Sequence, residues 1–440
     1  MARLASKREL GVWANGRRVG IWRLPSRGDM EFLYDSQWIA SSEARPLSLS
    51  MPIVLDRAPL KGAPVAAYFD NLLPDSDTIR RRLQERFRTD STRAFDLLYA
   101  IGRDCVGAVQ LLPPDEAPAR IETIEAQPLT DLKVERAIAH SLSASAFDED
   151  RDEFRISIAG AQEKTAFLRH RNRWCRPLGA TPTTHIFKLP LGLIGNRRAD
   201  MTTSVENEWL CSRILSAYGL PVAPCEIGRF GHSKVLIVER FDRQLHSSGQ
   251  YWLRLLQEDF CQATGTPPER KYEADGGPGL KDIGRILQGS LEREADLTTV
   301  FKAQLLFWML AATDGHAKNF SIRLLAGGRY RLTPLYDVLS AWPIVGDGGS
   351  QIPIKRVKLA MALHSKNTHY RVRDIQRRHF ESLATQLRLA RDSRSLIDET
   401  IEATPRVIAD VQEQVPRAFP QRIVDSILQG LGRSARQLAA

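Results

Sequence analysis

Eight consecutive apolar residues, Leu305 to Ala312 (LLFWMLAA), have no polar side to turn toward water, so this stretch has to lie inside the molecule. We read it as a buried helix. The residues after it are unlike a helix end on a surface. Within six positions the chain carries Asp314, His316, Lys318 and Asn319, and then Ser321. A carboxylate, an imidazole and a carboxamide gathered at the end of a buried helix suit a metal, a phosphate or a proton transfer. Taken alone, the segment equally fits a helix stopped by Asp314 and a turn capped by Asn319.

A chain of 440 residues is long for one core and implies two or three subdomains. We place their boundaries at 1–145, 146–243 and 244–440. Apolar residues make up 43% and charged residues 26%, the balance of a water-soluble protein. No apolar run approaches the roughly 18 residues that span a bilayer, so no membrane partner is expected. The N-terminal MARLASKREL lacks the apolar core of a secretory signal. Cys105, Cys175, Cys211, Cys225 and Cys261 are scattered and odd in number, which argues against a disulfide framework or a structural zinc site and for the cytoplasm. The net charge of +10 is concentrated: between Gln351 and Phe380 there are eight Lys or Arg against one acid, Asp374. Such a window either attracts phosphate backbones or is a solvated basic face. The cluster IRRRLQERFR (Ile79 to Arg88) has helical spacing, and we read it as an ordinary exposed face.

The coarse layout is a strand-rich half followed by a helical half. GVWANGRRVGIWRL alternates around an Asn-Gly turn and predicts a hairpin. Residues 113–150 are Pro-, Ala- and Ser-rich and read as a surface connection around one modest helix. Strands are expected in EFRISIAGAQEKTAFLR, THIFKLPLG and SKVLIVERFDR, with one helix, TSVENEWLCSRILSAYGL, among them. After about Arg243 helices dominate, apart from one hairpin, SIRLLAGGRYRLTPLYDV, which ends at Asp337. A cleft between two such halves is a natural ligand site.

Asp314 and Asn319 have the Asp-x4-Asn spacing in which a carboxylate orients an attacking hydroxyl and a carboxamide oxygen binds a divalent cation. The hairpin brings Asp337 to the same place, and two oxygen ligands suit Mg²⁺. No Phe-Gly follows Asp337, so a regulated flip of that segment is not expected. Lys188 lies inside an apolar strand and either needs an anion, because an unpaired buried ammonium is costly, or sits on an edge strand with its amine in water. Glu206 and Glu208 both follow it. Thr203 with Glu206 fits a capping box, so we assign Glu206 to the cap and Glu208 to Lys188. Ala159, Gly160 and Ala161 offer backbone N–H groups between strands, though on pattern alone they also read as a plain turn. VLIVERFDR ends a buried strand either where a two-lobed kinase places its hinge, with Glu239 and Phe241 at the nucleotide, or simply as a strand end leading into a surface loop.

The segments ARPLSLSMPI, YFDNLLPDS, IGRDCVGAV, FRISIAGAQEKTAFL, TPTTHIFKLPLG, VERFDR, QEDFCQ, YEADGGPG, TDGHAKNFS and LTPLYDV together make the chain resemble the HipA toxin kinases of bacterial HipA–HipB toxin–antitoxin systems, over nearly its whole length. The resemblance implies an α+β, two-lobed, protein-kinase-like fold of the phosphatidylinositol 3/4-kinase style. It implies an ATP- and Mg²⁺-dependent serine/threonine kinase with Asp314 as base, Asn319 and Asp337 as metal ligands, and Lys188 on the ATP phosphates. The phosphate-binding loop corresponds to Ile158, Ala159, Gly160, Ala161, Gln162, Glu163 and Lys164, and the autophosphorylation site to Ser157. A phosphate there is expected to hold the loop outward and inactivate the enzyme. Glu239, Phe241, Gln257 and His316 fall at the nucleotide. A HipB-like helix-turn-helix antitoxin, operator DNA and a protein substrate are implied as partners. An aminoacyl-tRNA synthetase is the expected substrate, glutamyl-tRNA synthetase foremost. The basic window then gains Lys355, Arg377 and Arg378 as candidate DNA contacts. The competing reading is a DNA-bound corepressor whose kinase activity is incidental.

Overall fold

The computed structural model of this chain describes residues 8–54, 58–142, 157–160, 162–195 and 197–440. Its first part is a five-stranded antiparallel sheet in the order Leu60–Lys61, Glu31–Tyr34, Arg17–Leu24, Arg8–Ala14, Gln110–Leu112. The central hairpin turns at Asn15 and Gly16, both at positive φ (47° and 75°), the left-handed pair that a two-residue hairpin loop requires. Helices Ala63–Asp70, Asp77–Phe87 and Ala94–Ile101 cover one face, where the Trp22 and Phe69 rings stack with centroids 3.9 Å apart.

A second antiparallel sheet has six strands, in the order Cys225–Phe230, Ser233–Glu239, His185–Lys188, Lys164–His170, Arg173–Pro177, Ala126–Pro128. The last strand comes from the segment read as a plain surface connection; that segment also supplies the helix Asp131–Ser141. The strand expected to begin near Phe154 starts at Lys164. Residues 154–156 lie outside the described residues, and Ser157 to Gly160 run as a loop docked on the first part of the chain. Helix Ser204–Ala217 packs against the sheet and joins it to the helical remainder.

The C-terminal part is mainly helical, around the long buried helix Arg293–Met309, but it holds more strand than expected. Beside the predicted Ser321–Leu324 and Tyr330–Leu332 hairpin, a third strand, Gln257–Asp259, pairs on its edge. Two further hairpins join Arg243–Leu245 to Trp252–Arg254 and Lys358–His364 to Thr368–Arg371. KLAMALH is too short and too uniformly apolar to separate strand from helix by period, so the last one has no clear mark in the sequence. Most of the buried side chains form one continuous core that runs from Leu10 to Leu438, so the N-terminal sheet is not a separate ball.

Its junction with the rest is charged as well as apolar. Asp104 accepts from Arg243 and Arg254 at 2.9 and 3.0 Å and from Thr183 Oγ1 at 2.6 Å. Asp242 bonds Arg240 at 2.7 Å and the Gly107 N–H at 2.7 Å. All five charged groups are buried. Burial raises the cost of the Asp104 charge, but the three arginines outweigh it and hold the carboxyl far below its ordinary range. The five cysteines are free and four are buried. Among the described residues no helix is long and apolar enough to cross a membrane.

Candidate functional site

Helix Arg293–Met309 is buried from Ala303 through Met309. It stops because Ala311 turns left-handed (φ 48°), so that the Ala311 and Ala312 N–H groups bond back to Trp308 and Phe307 at 3.0 and 2.7 Å. Gly315 then lies against the Phe307 ring, where a β-carbon would come within 2.5 Å of it. This close passage leaves Asp314 more than half exposed at the floor of a cleft while Ala312, His316 and Ala317 stay buried. The Tyr272 hydroxyl donates to Asp314 Oδ1 at 2.6 Å, and His316 Nε2 lies 3.8 Å from the same oxygen. Burial lowers the His316 pKa to about 4, against the pull of Asp314, so the ring is neutral near pH 7.

The hairpin after Ser321 delivers Asp337. Asn319 Nδ2 donates to the Asp337 carbonyl at 3.1 Å, and Asp337 Oδ1 lies 2.9 Å from Lys188 Nζ. Lys188 occupies an interior strand and its amine also reaches Glu208 at 2.5 Å. Burial opposes the Lys188 charge, but Asp337 and Glu208 outweigh it and raise its pKa. Burial pushes Glu208 up to about 7, with Lys188 opposing. Burial acts on Asp337 in the same sense, yet Lys188 and Lys164 hold its carboxyl below the usual range. Glu206 does not cap: the Thr203 side chain makes no capping bond, and Glu206 pairs instead with Lys234 on the adjacent strand. A buried carboxylate gains more from a lysine than from one backbone N–H, so the ion pair overrides the capping pattern.

One cleft is lined by Ile158, Ala159, Gly160, Gln162, Lys164, Lys188, Glu239, Phe241, Gln257, Asp314, His316, Asn319 and Asp337. Lys164 faces it as a half-buried ammonium with no ion-pair partner among the described residues; burial lowers its pKa to about 8, against Asp337. Gly160 (φ 110°) passes so close to this amine that a β-carbon would lie 2.6 Å from it. Gln257 Oε1 and His316 Nδ1 are buried without hydrogen-bond partners among the described residues. Both atoms are free to hydrogen-bond a polar group bound in the cleft. Phe241 packs 5.5 Å from the Tyr336 ring.

Other expected site residues lie elsewhere. Glu163 does not line the cleft and pairs with Arg82, and Ala161 lies outside the described residues. Ser157 is fully buried, its hydroxyl donating to the Leu72 carbonyl at 2.7 Å. Lys355, Arg377 and Arg378 do not line the cleft either. Lys355 and Arg378 are exposed, whereas Arg377 is half-buried against Asp398 at 2.6 Å. The helix Asp77–Phe87 is not the plain exposed face expected of it: Arg80 bonds Asp70 and the Pro74 carbonyl, and Arg82 holds Glu163.

Sequence reasoning missed several groups in the same place. Asp75 meets Lys318 at 2.7 Å and Lys271 at 2.8 Å, and Asp259, raised by burial to about 6, faces Lys318. The signal was present as YFDNLLPDS and QEDFCQ, two segments of the family resemblance that hold Asp75 and Asp259 without a role assigned to either, while Lys271 lies just before YEADGGPG. For a divalent cation the donor set is adequate. Asn319 and Asp337 are adjacent oxygen donors on the cleft wall, which suits an ion that keeps waters and phosphate oxygens for its remaining positions.

Comparison with known proteins gives a consistent result. The model of the HipA-like C-terminal domain matches residues 156–408 and that of the HipA N-terminal domain residues 10–112. The putative kinase Y4mE of Sinorhizobium fredii is 31% identical over 417 residues, which is 92% of this chain and 93% of that protein. The serine/threonine-protein kinase toxin HipA of Shewanella oneidensis is 28% identical over 290 residues, 63% of each chain. Among solved structures, the complex of Shewanella oneidensis HipA, HipB and operator DNA superimposes with a TM-score of 0.78 at 22% identity, covering 98% of this chain and 97% of that one. The fold is thus α+β and of the HipA, kinase-like type.

Proposed function

Because this chain belongs to the HipA family of protein kinases, we propose that it transfers the γ-phosphoryl group of ATP to a serine or threonine hydroxyl of a protein. The observation that carries this reading is the convergence in one cleft of Asp314, the Asn319–Asp337 pair and Lys188 from three distant parts of the chain. Asp314 accepts the proton of the attacking hydroxyl. Tyr272 occupies one of its oxygens and leaves the other for the substrate. Neutral His316 beside it adds no positive charge that would blunt the base. Lys188, kept protonated by Asp337 and aimed by Glu208, holds ATP phosphates, and Lys164 joins it from the phosphate loop. Gln257 and the strand end at Glu239 and Phe241 receive the base and ribose side of the nucleotide. Asn319 and Asp337 would hold Mg²⁺, which supplies charge neutralisation at the phosphates when bound.

The functional units we assign are 1–145, 146–243 and 244–440. The burial of Ser157 supports its role as a self-inactivation switch. A phosphate has no room where the hydroxyl meets the Leu72 carbonyl, so the modified segment has to leave its seat. We further assign a HipB-like antitoxin and operator DNA as partners, and growth arrest through a translation-related substrate, an aminoacyl-tRNA synthetase and glutamyl-tRNA synthetase foremost. The HipB and operator DNA of the Shewanella oneidensis complex support the first two, and family resemblance alone supports the substrate. Exposed Lys355 and Arg378 remain the favoured DNA contacts. Labelled ATP with wild type and Asp314→Asn tests the core of the reading: transfer to protein serine or threonine is expected from wild type alone. An Asp314→Asn enzyme of undiminished activity removes Asp314 as the base.

A further inference from the structure

Asp75 belongs to the N-terminal part of the chain, yet it holds two opposite walls of the cleft. Its backbone N–H donates to the Gly160 carbonyl at 3.0 Å, beside a parallel bridge between Pro74 and Gly160. Three residues earlier, the Leu72 carbonyl takes the Ser157 hydroxyl. The phosphate loop is thereby seated on residues 72–75. The Asp75 carboxylate points the other way. Oδ1 accepts from Lys318 at 2.7 Å and Oδ2 from Lys271 at 2.8 Å. Lys318 sits between Asp314 and Asn319, and Lys271 precedes Tyr272, whose hydroxyl meets Asp314. The three charged side chains are 5 to 12% exposed.

Two buried ammonium groups at one carboxylate leave little freedom. Each would be costly to bury alone, and each repels the other. Placed between them, Asp75 fixes both, and burial notwithstanding the two lysines hold its pKa at about 2. The other carboxylate facing Lys318 is Asp259. Without the Asp75 charge, Lys318 is drawn toward Asp259, and with it the short turn Ala317–Asn319 that carries the Asn319 bond to Asp337.

We propose that Asp75 is a positioning residue for phosphoryl transfer, which locks the phosphate loop through its peptide N–H and the catalytic turn through Lys318 into one unit. This rests on the kinase reading above. The N-terminal part of the chain then completes the active site instead of merely adjoining it.

Asp75→Asn keeps the shape and the peptide N–H while removing the charge. In the full-length protein, kcat is expected to fall about 10- to 100-fold, the loss seen when a catalytic group is misplaced by an ångström or less. The KM for ATP should stay within about threefold, because the seat of the phosphate loop is untouched. Since Asp75 acts through Lys318, Lys318→Met should show the same loss, and the double variant should be no slower than Lys318→Met alone. A purely structural staple predicts a lowered melting temperature with kcat preserved in the folded fraction. Wild-type kcat in Asp75→Asn, or losses that multiply in the double variant, overturns the proposal. Should Asp75→Asn fail to fold, a folded Lys318→Met of normal kcat overturns it as well. Absence of labelled phosphate transfer from ATP to protein by the wild type would instead bring down the kinase reading, so the two failures are distinguishable.

Discussion

Glu208→Gln is expected to make the protein more stable and less active at once. The Glu208 and Lys188 side chains are each 6% exposed, and their charged atoms are 2.5 Å apart. Removing one member of a buried ion pair ordinarily costs about 3–5 kcal/mol, because the other charge is stranded. Here Lys188 is not stranded, since Asp337 remains 2.9 Å away. What decides the sign is Glu208 itself, whose pKa burial raises from 4.5 to about 7 with Lys188 opposing. Lys188 is protonated in both folded and unfolded chains over this range, so its attraction is already contained in that value. Between these two pKa values the folded state binds the extra proton. The stability carried by Glu208 is therefore full below pH 4.5 and is lost as pH rises through about 7. The loss is on the order of 3 kcal/mol, at 1.36 kcal/mol for each pH unit between the two values. Glutamine resembles the protonated acid and escapes it. Urea unfolding should show the variant to be more stable than wild type at about pH 8 and nearly equal to it at about pH 4, with transfer activity down about tenfold or more because Lys188 swings wholly onto Asp337. Equal destabilisation at both pH values would refute the reasoning, since it would mean that the pair, not the burial of the carboxylate, dominates.

Lys164 supplies a second test. Its pKa is lowered to about 8, so ATP affinity should weaken as pH rises through that value, and Lys164→Met should raise the KM for ATP about tenfold and flatten the pH dependence. A KM profile of unchanged shape in the variant would remove Lys164 from the nucleotide site. On the basic window, Lys355→Ala and Arg378→Ala should each weaken operator binding by the antitoxin complex and reduce its salt slope by about one, measured by titration at several salt concentrations. Arg377→Ala should change it little, because Asp398 already holds that guanidinium.

The parts of the site that were legible in the sequence are those whose chemistry is local. Asp314 and Asn319 are five positions apart, the hairpin to Asp337 announces itself by Ala-Gly-Gly, and Lys188 stands out because its strand is otherwise apolar. The Glu206 cap was misread because a capping box is a local pattern, whereas its real partner, Lys234, lies on a strand 28 residues away. Asp75 could not be found for the same reason, with 243 residues separating it from Lys318. The arginines of helix Asp77–Phe87 looked solvated because helical spacing alone does not show their partners, Asp70 for Arg80 and Glu163 for Arg82. Arg82 turns inward only because the fold brings Glu163 beside it. The triplet Arg240, Arg243 and Arg254 is invisible for the opposite reason. Their partner Asp104 sits in a segment whose own pattern, GRDCVGAV, gives no hint that it is buried beneath three guanidiniums.

Asp337 is where these local pieces become dependent on one another. Its backbone is left-handed (φ 61°), a state that short polar residues tolerate best but that still costs about 1 kcal/mol. The conformation is held from every side. Leu335 N–H bonds the Pro221 carbonyl at 2.8 Å before it, and Ala341 N–H bonds the Ala311 carbonyl at 3.1 Å after it. Asn319 takes its carbonyl and Lys188 one carboxylate oxygen. The left-handed turn that ends the buried helix at Ala311 therefore anchors both ends of the site, Asp314 directly and Asp337 through Ala341. On the proposed reading, a cation held by Asn319 and Asp337 would share Asp337 with Lys188. Loss of activity on replacing Lys188 would then combine a lost phosphate contact with a freed, repositioned Asp337, and a double-mutant cycle with Asp337→Asn is the way to separate the two.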